Sequence, residues 1–159
     1  MDEKFTFFWD GPFSQWHDSP FEINGVKYNC CEQYMMAEKA RLFGDKEAED
    51  LIMSSSSPRE QKAIGRTVAN FNENQWNKIC KEIVHRGNLA KFTQNLDLQK
   101  VLLATKGTTI VEASPYDKIW GIGLHESDPR AKDRSTWQGK NWLGEVLTQV
   151  REEIDKYTT

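Results

Sequence analysis

The stretch that decides the fold is CEQYMMAEKARLF, residues 31–43, where the pattern of the chain becomes helical. We expect this helix to stop at Gly44, because a glycine can take the left-handed conformation that closes a helix. After it, Asp45 offers a cap for a second helix, and Pro58 occupies a first-turn position for a third. The middle of the chain is therefore predicted to be a run of helices that starts with residues 31–43.

Further helices and short strands are predicted on either side of that run. The pattern of apolar, β-branched and turn residues indicates helices over 76–90, 98–102 and 143–154, strands over 5–9 and 108–113, and a hairpin edge over 23–28. The predicted fold class is α+β, a mostly helical single domain with a few short β-strands.

Length and charge are those of one globular domain. The chain has 159 residues, 38% of them hydrophobic, and 21 Lys and Arg against 24 Asp and Glu give a net charge of −3. A body of this size buries enough surface to fold alone, so residues 1–159 are expected to form a single domain. No apolar run approaches the roughly 18 residues of a membrane helix, and the acidic start does not fit a signal peptide. We expect a cytoplasmic protein with no membrane partner.

Several classes of site are excluded by the motifs that the sequence lacks. Cys30, Cys31 and Cys80 form no CxxC pair and are expected to be buried thiols, and the scattered histidines give no zinc spacing. Gly121 and Gly123 give only a GxG, which fails the dinucleotide fingerprint, and no GxxxxGK[ST] loop is present. The net charge argues against strong nonspecific affinity for nucleic acid but leaves room for a local basic patch. We expect no metal and no cofactor.

The helix over residues 31–43 carries the first candidate chemistry. Glu32 and Lys39 fall within about 20° of the same face, with Met35 and Met36 between them. A carboxyl group over such an apolar floor loses solvation and its pKa rises, which suits a general acid. The same floor pushes a lysine toward a free amine that can form an imine with an aldehyde. The alternative is an exposed Glu/Lys pair on a solvated stripe, and spacing alone does not decide between them.

The loop over residues 11–16, GPFSQW, combines aromatic rings with a hydroxyl and an amide. This mixture suits a planar base or a sugar, with Phe13 and Ser14 as candidate contacts. The alternative is a turn in which Phe13 and Trp16 complete the core, since such aromatic side chains usually bury large areas.

Two later segments also hold candidate binding residues. Glu112 and Asp117 lie beside and in a proline-containing loop at a strand end, where grooves often form. Residues 130–140 carry four cations against one acid, with Trp137 among them and Trp142 just after, which indicates either a phosphate-binding surface or a solvated loop. Asn141 follows, in a position to cap the last helix next to an anion site.

Taken together, these segments resemble the NADAR family, which includes the YbiA-like N-glycosidases. The resemblance covers nearly the whole chain, and the order and spacing of its motifs are specific. The motifs are Phe13-Ser14, EQYMMAEKA at 32–40, Gly65-Arg66, Trp76, Lys91-Phe92, Glu112 with DKIWG at 117–121, GKN at 139–141, Leu143-Gly144 and Val150-Arg151. The chain departs from the common pattern at Gln33, where family members often have a histidine, and at Gln15-Trp16, where Asn-Phe is common.

The resemblance implies cleavage of an N-glycosidic bond to ribose. The implied substrate is ADP-ribosylated guanine, in DNA or as a nucleoside, from which ADP-ribose is removed. One alternative substrate is a ribosylamine phosphate intermediate of riboflavin synthesis. A noncatalytic ADP-ribose-binding module and a host-interaction protein that uses exposed tryptophans are alternatives of a different class. We expect the protein to act as a monomer.

Site residues follow from the resemblance in the same way. The Glu and Lys implicated in the family's catalysis map onto Glu32 and Lys39, so Glu32 is expected to shuttle protons and Lys39 to capture an opened sugar as a Schiff base. The arginines and lysines of residues 130–140 are expected to hold a pyrophosphate or DNA phosphates. The predicted substrate-binding residues are Phe13, Ser14, Trp76, Glu112, Asp117, Trp120, Gly121, Arg134 and Asn141.

Overall fold

The computed structural model describes residues 2–158, which form six α-helices, four short β-strands and two 3₁₀ helices. The helices are α1 (Cys31–Leu42), α2 (Lys46–Ser54), α3 (Pro58–Gly65), α4 (Glu73–Gln94), α5 (Leu96–Leu103) and α6 (Trp142–Thr158). The strands are β1 (Phe5–Phe8), β2 (Phe21–Ile23), β3 (Val26–Tyr28) and β4 (Thr109–Glu112), and the 3₁₀ helices are Pro129–Lys132 and Arg134–Thr136. The predicted α+β, mostly helical fold is confirmed. None of the helices within residues 2–158 is long and apolar enough to cross a membrane.

The described residues form two compact units. The central unit is residues 15–95, which contain the β2–β3 hairpin and α1 to α4. The terminal unit joins the N-terminal residues 2–14 to residues 96–158 and contains β1, β4, α5 and α6.

The central unit is built around α1. Eight of the twelve residues of α1 are buried, and α2, α3, α4 and β3 all pack against this helix. A helix that is enclosed on nearly every side is a core helix, so α1 holds this unit together. The central unit contains three cysteines, Cys30, Cys31 and Cys80, which are buried thiols as predicted. Burial raises the pKa of the Cys30 thiol to about 11.

Local sequence signals fix the ends of the central elements. Asp45 accepts a hydrogen bond from the Ala48 backbone N–H at 3.0 Å, as predicted for the cap of α2. Ser57 likewise caps α3 through the N–H of Glu60. The β2–β3 hairpin turns at Asn24-Gly25, where both residues have positive φ, as an Asn-Gly turn requires.

The terminal unit is organised by the parallel pair of β1 and β4, in which Phe5 lies opposite Thr109 and Phe8 opposite Glu112. Helix α6 packs on β4. Asn141 precedes α6, but its side chain does not have the predicted capping role. Its buried amide accepts from the Glu112 N–H at 3.0 Å and donates to the Ile110 carbonyl at 3.1 Å, because β4 presents unpaired backbone groups on this side.

Candidate active site

Glu32 lies in the first turn of α1 with only 6% of its surface exposed. The turn is held from outside the helix, because the Glu32 N–H donates to the carbonyl of Gln15 at 3.0 Å. The Gln15 side chain is held in turn by the amide of Asn88, at 2.8 Å. The backbone of Glu32 is therefore held in place by the segment at Gln15 and, through it, by α4, and the side chain is buried rather than solvated.

Lys39 lies two turns further along the same face of α1. Its Nζ is 4.6 Å from the ring centroid of Phe71 and 5.7 Å from that of Trp76, so aromatic faces enclose the ammonium group. Burial lowers the pKa of Lys39, the Arg66 cation lowers it further, and the Glu32 carboxylate opposes both. The net result is a pKa of Lys39 below its ordinary value, so less free energy is needed to form the neutral amine than for an exposed lysine.

The floor between the two groups is apolar. Met35 and Met36 are both buried, as the spacing of the sequence predicts. Helix α3 closes against this floor at Gly65, where a Cβ atom would overlap the sulfur of Met36. The absence of a side chain at Gly65 thus lets α3 approach α1 and brings the next residue, Arg66, close enough to influence Lys39.

Glu38 offers an internal comparison, because it neighbours Lys39 in sequence but points elsewhere. It is half-buried and lies 3.5 Å from the Arg41 guanidinium. Arg41 also binds Glu49 at 2.6 Å and the Tyr28 hydroxyl at 2.8 Å. The carboxyl of Glu38 is therefore part of a structural ion-pair network, distinct from the Glu32 and Lys39 face.

A second group of predicted residues lies together in the terminal unit, around the loop after β4. Asp117 Oδ1 accepts hydrogen bonds from the N–H groups of Ile119 and Trp120 at 2.9 and 2.8 Å. Gly121 packs so closely that a Cβ there would lie 2.9 Å from Glu112 Oε2 and from the Asp117 carbonyl oxygen. The structure thus brings Asp117, Trp120 and Gly121 of this loop together with Glu112, the last residue of β4.

The remaining predicted residues of the terminal unit have partners of their own. Phe13 is buried and packs edge-on against Phe8, with 5.7 Å between ring centroids, while the Ser14 N–H closes a turn to Gly11. Arg134 binds the Glu3 carboxylate through two guanidinium nitrogens, and Arg130 pairs with Asp128 at 2.9 Å. The cations predicted to form a basic surface are thus partly neutralised within the protein.

The predicted set therefore divides between the two units. Glu32, Lys39 and Trp76 belong to the central unit, and the other predicted residues belong to the terminal unit. Sequence reasoning gave no role to Phe71 or to Arg66, which both act on Lys39. Of the two, only Arg66 could have been found from the sequence, because it belongs to the Gly65-Arg66 motif of the family resemblance.

Lys91 is another residue that the sequence reasoning left without a role. It is fully buried, and its Nζ lies 4.9 Å from the Phe92 ring centroid. Burial lowers its pKa, and its charge is felt by Cys30 and Cys31 at the start of α1. No group of three or more His, Cys, Asp or Glu side chains within residues 2–158 is placed to hold a metal ion.

Comparison with known proteins places this geometry in a family. The NADAR domain model matches residues 7–155, which include both groups of site residues. The chain is 49% identical over 146 residues to N-glycosidase R617 of Acanthamoeba polyphaga mimivirus, covering 89% of this chain and 86% of that protein. It is 41% identical over 158 residues to Protein irg-1 of Caenorhabditis elegans, covering 89% and 74%.

A solved structure agrees with the sequence matches. The NMR structure of the Escherichia coli protein YbiA superposes with a TM-score of 0.80 at 27% identity, over 100% of this chain and 90% of that one. In sequence, N-glycosidase YbiA of E. coli K12 is 29% identical over 144 residues, covering 91% of this chain and 81% of YbiA. The chain belongs to the NADAR domain family.

Proposed function

We propose that this protein is an N-glycosidase that removes ADP-ribose from guanine in nucleic acid. Its relatives from mimivirus, Nostoc punctiforme and E. coli are named N-glycosidases, which are enzymes that hydrolyse an N-glycosyl bond. The observation that carries the proposal is the pair on α1: the Glu32 carboxyl is buried, and the Lys39 amine is half-buried against the rings of Phe71 and Trp76. Both groups lie on one face of the helix, over the apolar floor of Met35 and Met36.

In the proposed reaction, opening of the ribose ring converts C1 into an imine carbon bonded to the guanine nitrogen. The neutral Lys39 amine adds to C1, and guanine leaves as its bond to C1 breaks and its nitrogen takes a proton from Glu32. Water then adds to the imine between C1 and Lys39, and the C1–Nζ bond breaks. The sugar aldehyde recloses to ADP-ribose, the amine is free again, and Glu32 regains its proton. The net reaction consumes one water.

The environment of Lys39 supports this role. A lysine attacks carbon only as the neutral amine. Burial lowers the pKa of Lys39, and this effect together with the nearby Arg66 outweighs the opposing Glu32 carboxylate. The rings of Phe71 and Trp76 lie beside the amine and cover part of it, so Lys39 is half-buried. A noncatalytic reader of ADP-ribose has no need of an acid and an activated amine on one face.

The loop of Glu112 and Asp117 is proposed to bind the ribose. Asp117 accepts both of its backbone hydrogen bonds through Oδ1. Within residues 2–158, its second oxygen, Oδ2, accepts none of these bonds and can accept one from a ribose hydroxyl. Asp117→Asn keeps an oxygen for the backbone bonds. We expect this variant to raise KM with little change in stability, whereas an unchanged KM and turnover would remove Asp117 from the site.

The decisive experiment incubates the protein with a single-stranded oligonucleotide that carries ADP-ribosylated guanine and reads the products by mass spectrometry. A parallel reaction contains the pyrimidine ribosylamine phosphate. We expect release of ADP-ribose and an unmodified strand, with activity lowered by a factor of about 10² or more in Glu32→Gln and Lys39→Met. Borohydride added during turnover should leave a reduced sugar adduct on the Lys39 peptide.

Matched variants are available on the same part of the chain. Glu38→Gln changes an acid of α1 that faces Arg41, and Lys46→Met changes an exposed lysine of α2, so both should keep full activity. Activity in Lys39→Met without any adduct would remove the imine step. Cleavage of the ribosylamine phosphate alone would reassign the substrate, and an intact ligand bound stoichiometrically would make the protein a reader.

A further inference from the structure

Helix α3 carries a row of cations beside the Glu32 and Lys39 face. Arg59, Lys62 and Arg66 follow each other at intervals of three and four residues, so they lie on one side of the helix over about 10 Å. We name these three residues the α3 cation row. The buried Gln61, whose amide binds the Ser55 carbonyl at 2.8 Å, marks the inner side of the same helix.

The α3 cation row is not neutralised by the protein itself. Within residues 2–158, none of its three side chains forms an ion pair, although Arg130, Arg134 and Arg41 all do so elsewhere in the chain. Glu60, the acid of α3, lies about 100° from Arg59 around the helix. A row of unpaired cations on a protein with net charge −3 is a local exception to the overall charge.

An aromatic ring stands beside the row. Lys62 Nζ lies 5.9 Å from the ring centroid of Trp16, and 40% of the surface of Trp16 is exposed. Single-stranded nucleic acid is bound by this combination, in which cations follow the phosphates and bases stack on aromatic rings. Exposed tryptophan faces next to lysine and arginine serve this purpose without a sequence preference.

The row also leads to the proposed catalytic pair. The contact between Gly65 and Met36 fixes the end of α3 on the floor between Glu32 and Lys39. Arg66 is then near enough to Lys39 for their charges to repel. The phosphates that flank a modified nucleotide can therefore be held along α3 while the nucleotide itself meets α1.

We propose that the α3 cation row and Trp16 form a binding track for the phosphodiester backbone of single-stranded nucleic acid, next to the Glu32 and Lys39 face. This inference extends the proposed function, since only a nucleic-acid substrate brings flanking phosphates to the site. It places phosphate contacts on α3, whereas residues 130–140 are the phosphate surface predicted from sequence.

Binding is tested with an unmodified, fluorescently labelled single strand of about 12 nucleotides, by anisotropy over a series of salt concentrations. Three phosphate contacts predict that log K falls with log salt at a slope of about −2. The triple variant R59Q/K62Q/R66Q should weaken binding at least tenfold and bring the slope close to zero. Trp16→Leu should weaken binding about tenfold without changing the slope.

The control is K27Q/K78Q/R86Q, which removes the same charge from exposed positions on β3 and α4 of the central unit. It should leave most of the binding and the slope in place. Equal losses in the control and in the row variant would overturn the proposal, because they would reflect net charge alone. Row variants that weaken binding of free ADP-ribose but not of the strand would also overturn it and assign the row to the pyrophosphate.

The probe strand carries no ADP-ribose and is not cleaved, so this result does not depend on the glycosidase reaction. If the proposed function fails, strand binding by the row is still measured. If the row fails, hydrolysis of ADP-ribosylated guanosine, a substrate without flanking phosphates, still tests the catalytic pair.

Discussion

The sulfur of Met36 occupies the space that a side chain on Gly65 would need. This contact joins α3 to the middle of α1 and lies between the carboxyl and the amine proposed to perform catalysis. Packing of one methionine against one glycine therefore determines how close α3 stands to the site.

Gly65→Ala is expected to destabilise the protein by about 1–3 kcal/mol, because a well-packed helix contact must open to admit a methyl group. Activity should fall as well, since α3 and Arg66 move away from Lys39. Urea unfolding and turnover measure the two effects. In Gly65→Ala/Met36→Ala the overlap is absent, so the double variant should lose less stability than the sum of the two single variants. Additive losses would show that the contact does not limit the approach of α3.

The pH dependence of turnover reports the charge state of Lys39. Its folded pKa lies below the ordinary value of 10.5, so turnover that needs the free amine should have an ascending limb as the pH rises through that lowered pKa. Arg66→Gln removes a repelling cation, so the pKa of Lys39 should rise and the ascending limb should move to higher pH. ADP-ribosylated guanosine is the suitable substrate, and the exposed Lys78→Gln is the control. An unmoved limb in Arg66→Gln would contradict the assignment of Lys39 as the titrating amine.

Gln33 is predicted to act on stability alone, although it neighbours Glu32. Its buried amide accepts from the Asn29 N–H at 2.8 Å and donates to the carbonyls of Ile52 and Ser55, each at 3.2 Å. Gln33→Met leaves these groups without their partner and should cost about 2–4 kcal/mol. Gln33→His should cost less, because an imidazole can still donate and accept. Unfolding curves measure the cost, and a fall in the activity of the folded protein would instead place Gln33 in the chemistry.

Acid stability provides a separate test of the Arg134 environment. The hydrogen bonds from Arg134 and then Thr109 hold the pKa of Glu3 at about 2, against an ordinary 4.5. The stability contributed by this carboxylate is therefore present above about pH 4.5 and is lost as the pH falls toward 2. Glu3→Gln should remove that loss and lower stability at neutral pH by less than about 1 kcal/mol, because the pair is exposed. Melting temperatures measured between pH 2 and 7 test this, with the exposed Glu126→Gln as control.

Local elements were predictable because their signals are local. The cap at Asp45, the first-turn position of Pro58, the turn at Asn24-Gly25 and the end of α1 before Gly44 each depend on a few neighbouring residues. The structure has all of them. The shared face of Glu32 and Lys39 follows from helix geometry alone. The partners of Arg134 and Asn141 could not be predicted in this way. Arg134 binds a residue 131 positions away, and Asn141 satisfies a strand 31 positions earlier.

The α3 cation row illustrates a limit of another kind. Its spacing is visible in the sequence, but a count of charges favours residues 130–140, which hold more cations. Whether a cation is available to a ligand depends on the acids that the fold brings to it. Arg134 and Arg66 look alike in the sequence, but in the structure Arg134 forms an ion pair with Glu3, whereas Arg66 forms none within residues 2–158.

Because α1 is enclosed on nearly every side, the helix that carries the proposed catalytic groups cannot unfold before the rest of the central unit. Warming should thus leave each molecule either fully competent or fully inactive, and the fraction of surviving activity should trace the fraction still native. The same enclosure restricts how the enzyme can diversify. A relative that alters the interior of the central unit must also reposition its acid and amine, so new specificities are expected to arise in the loops around the helix and not along it.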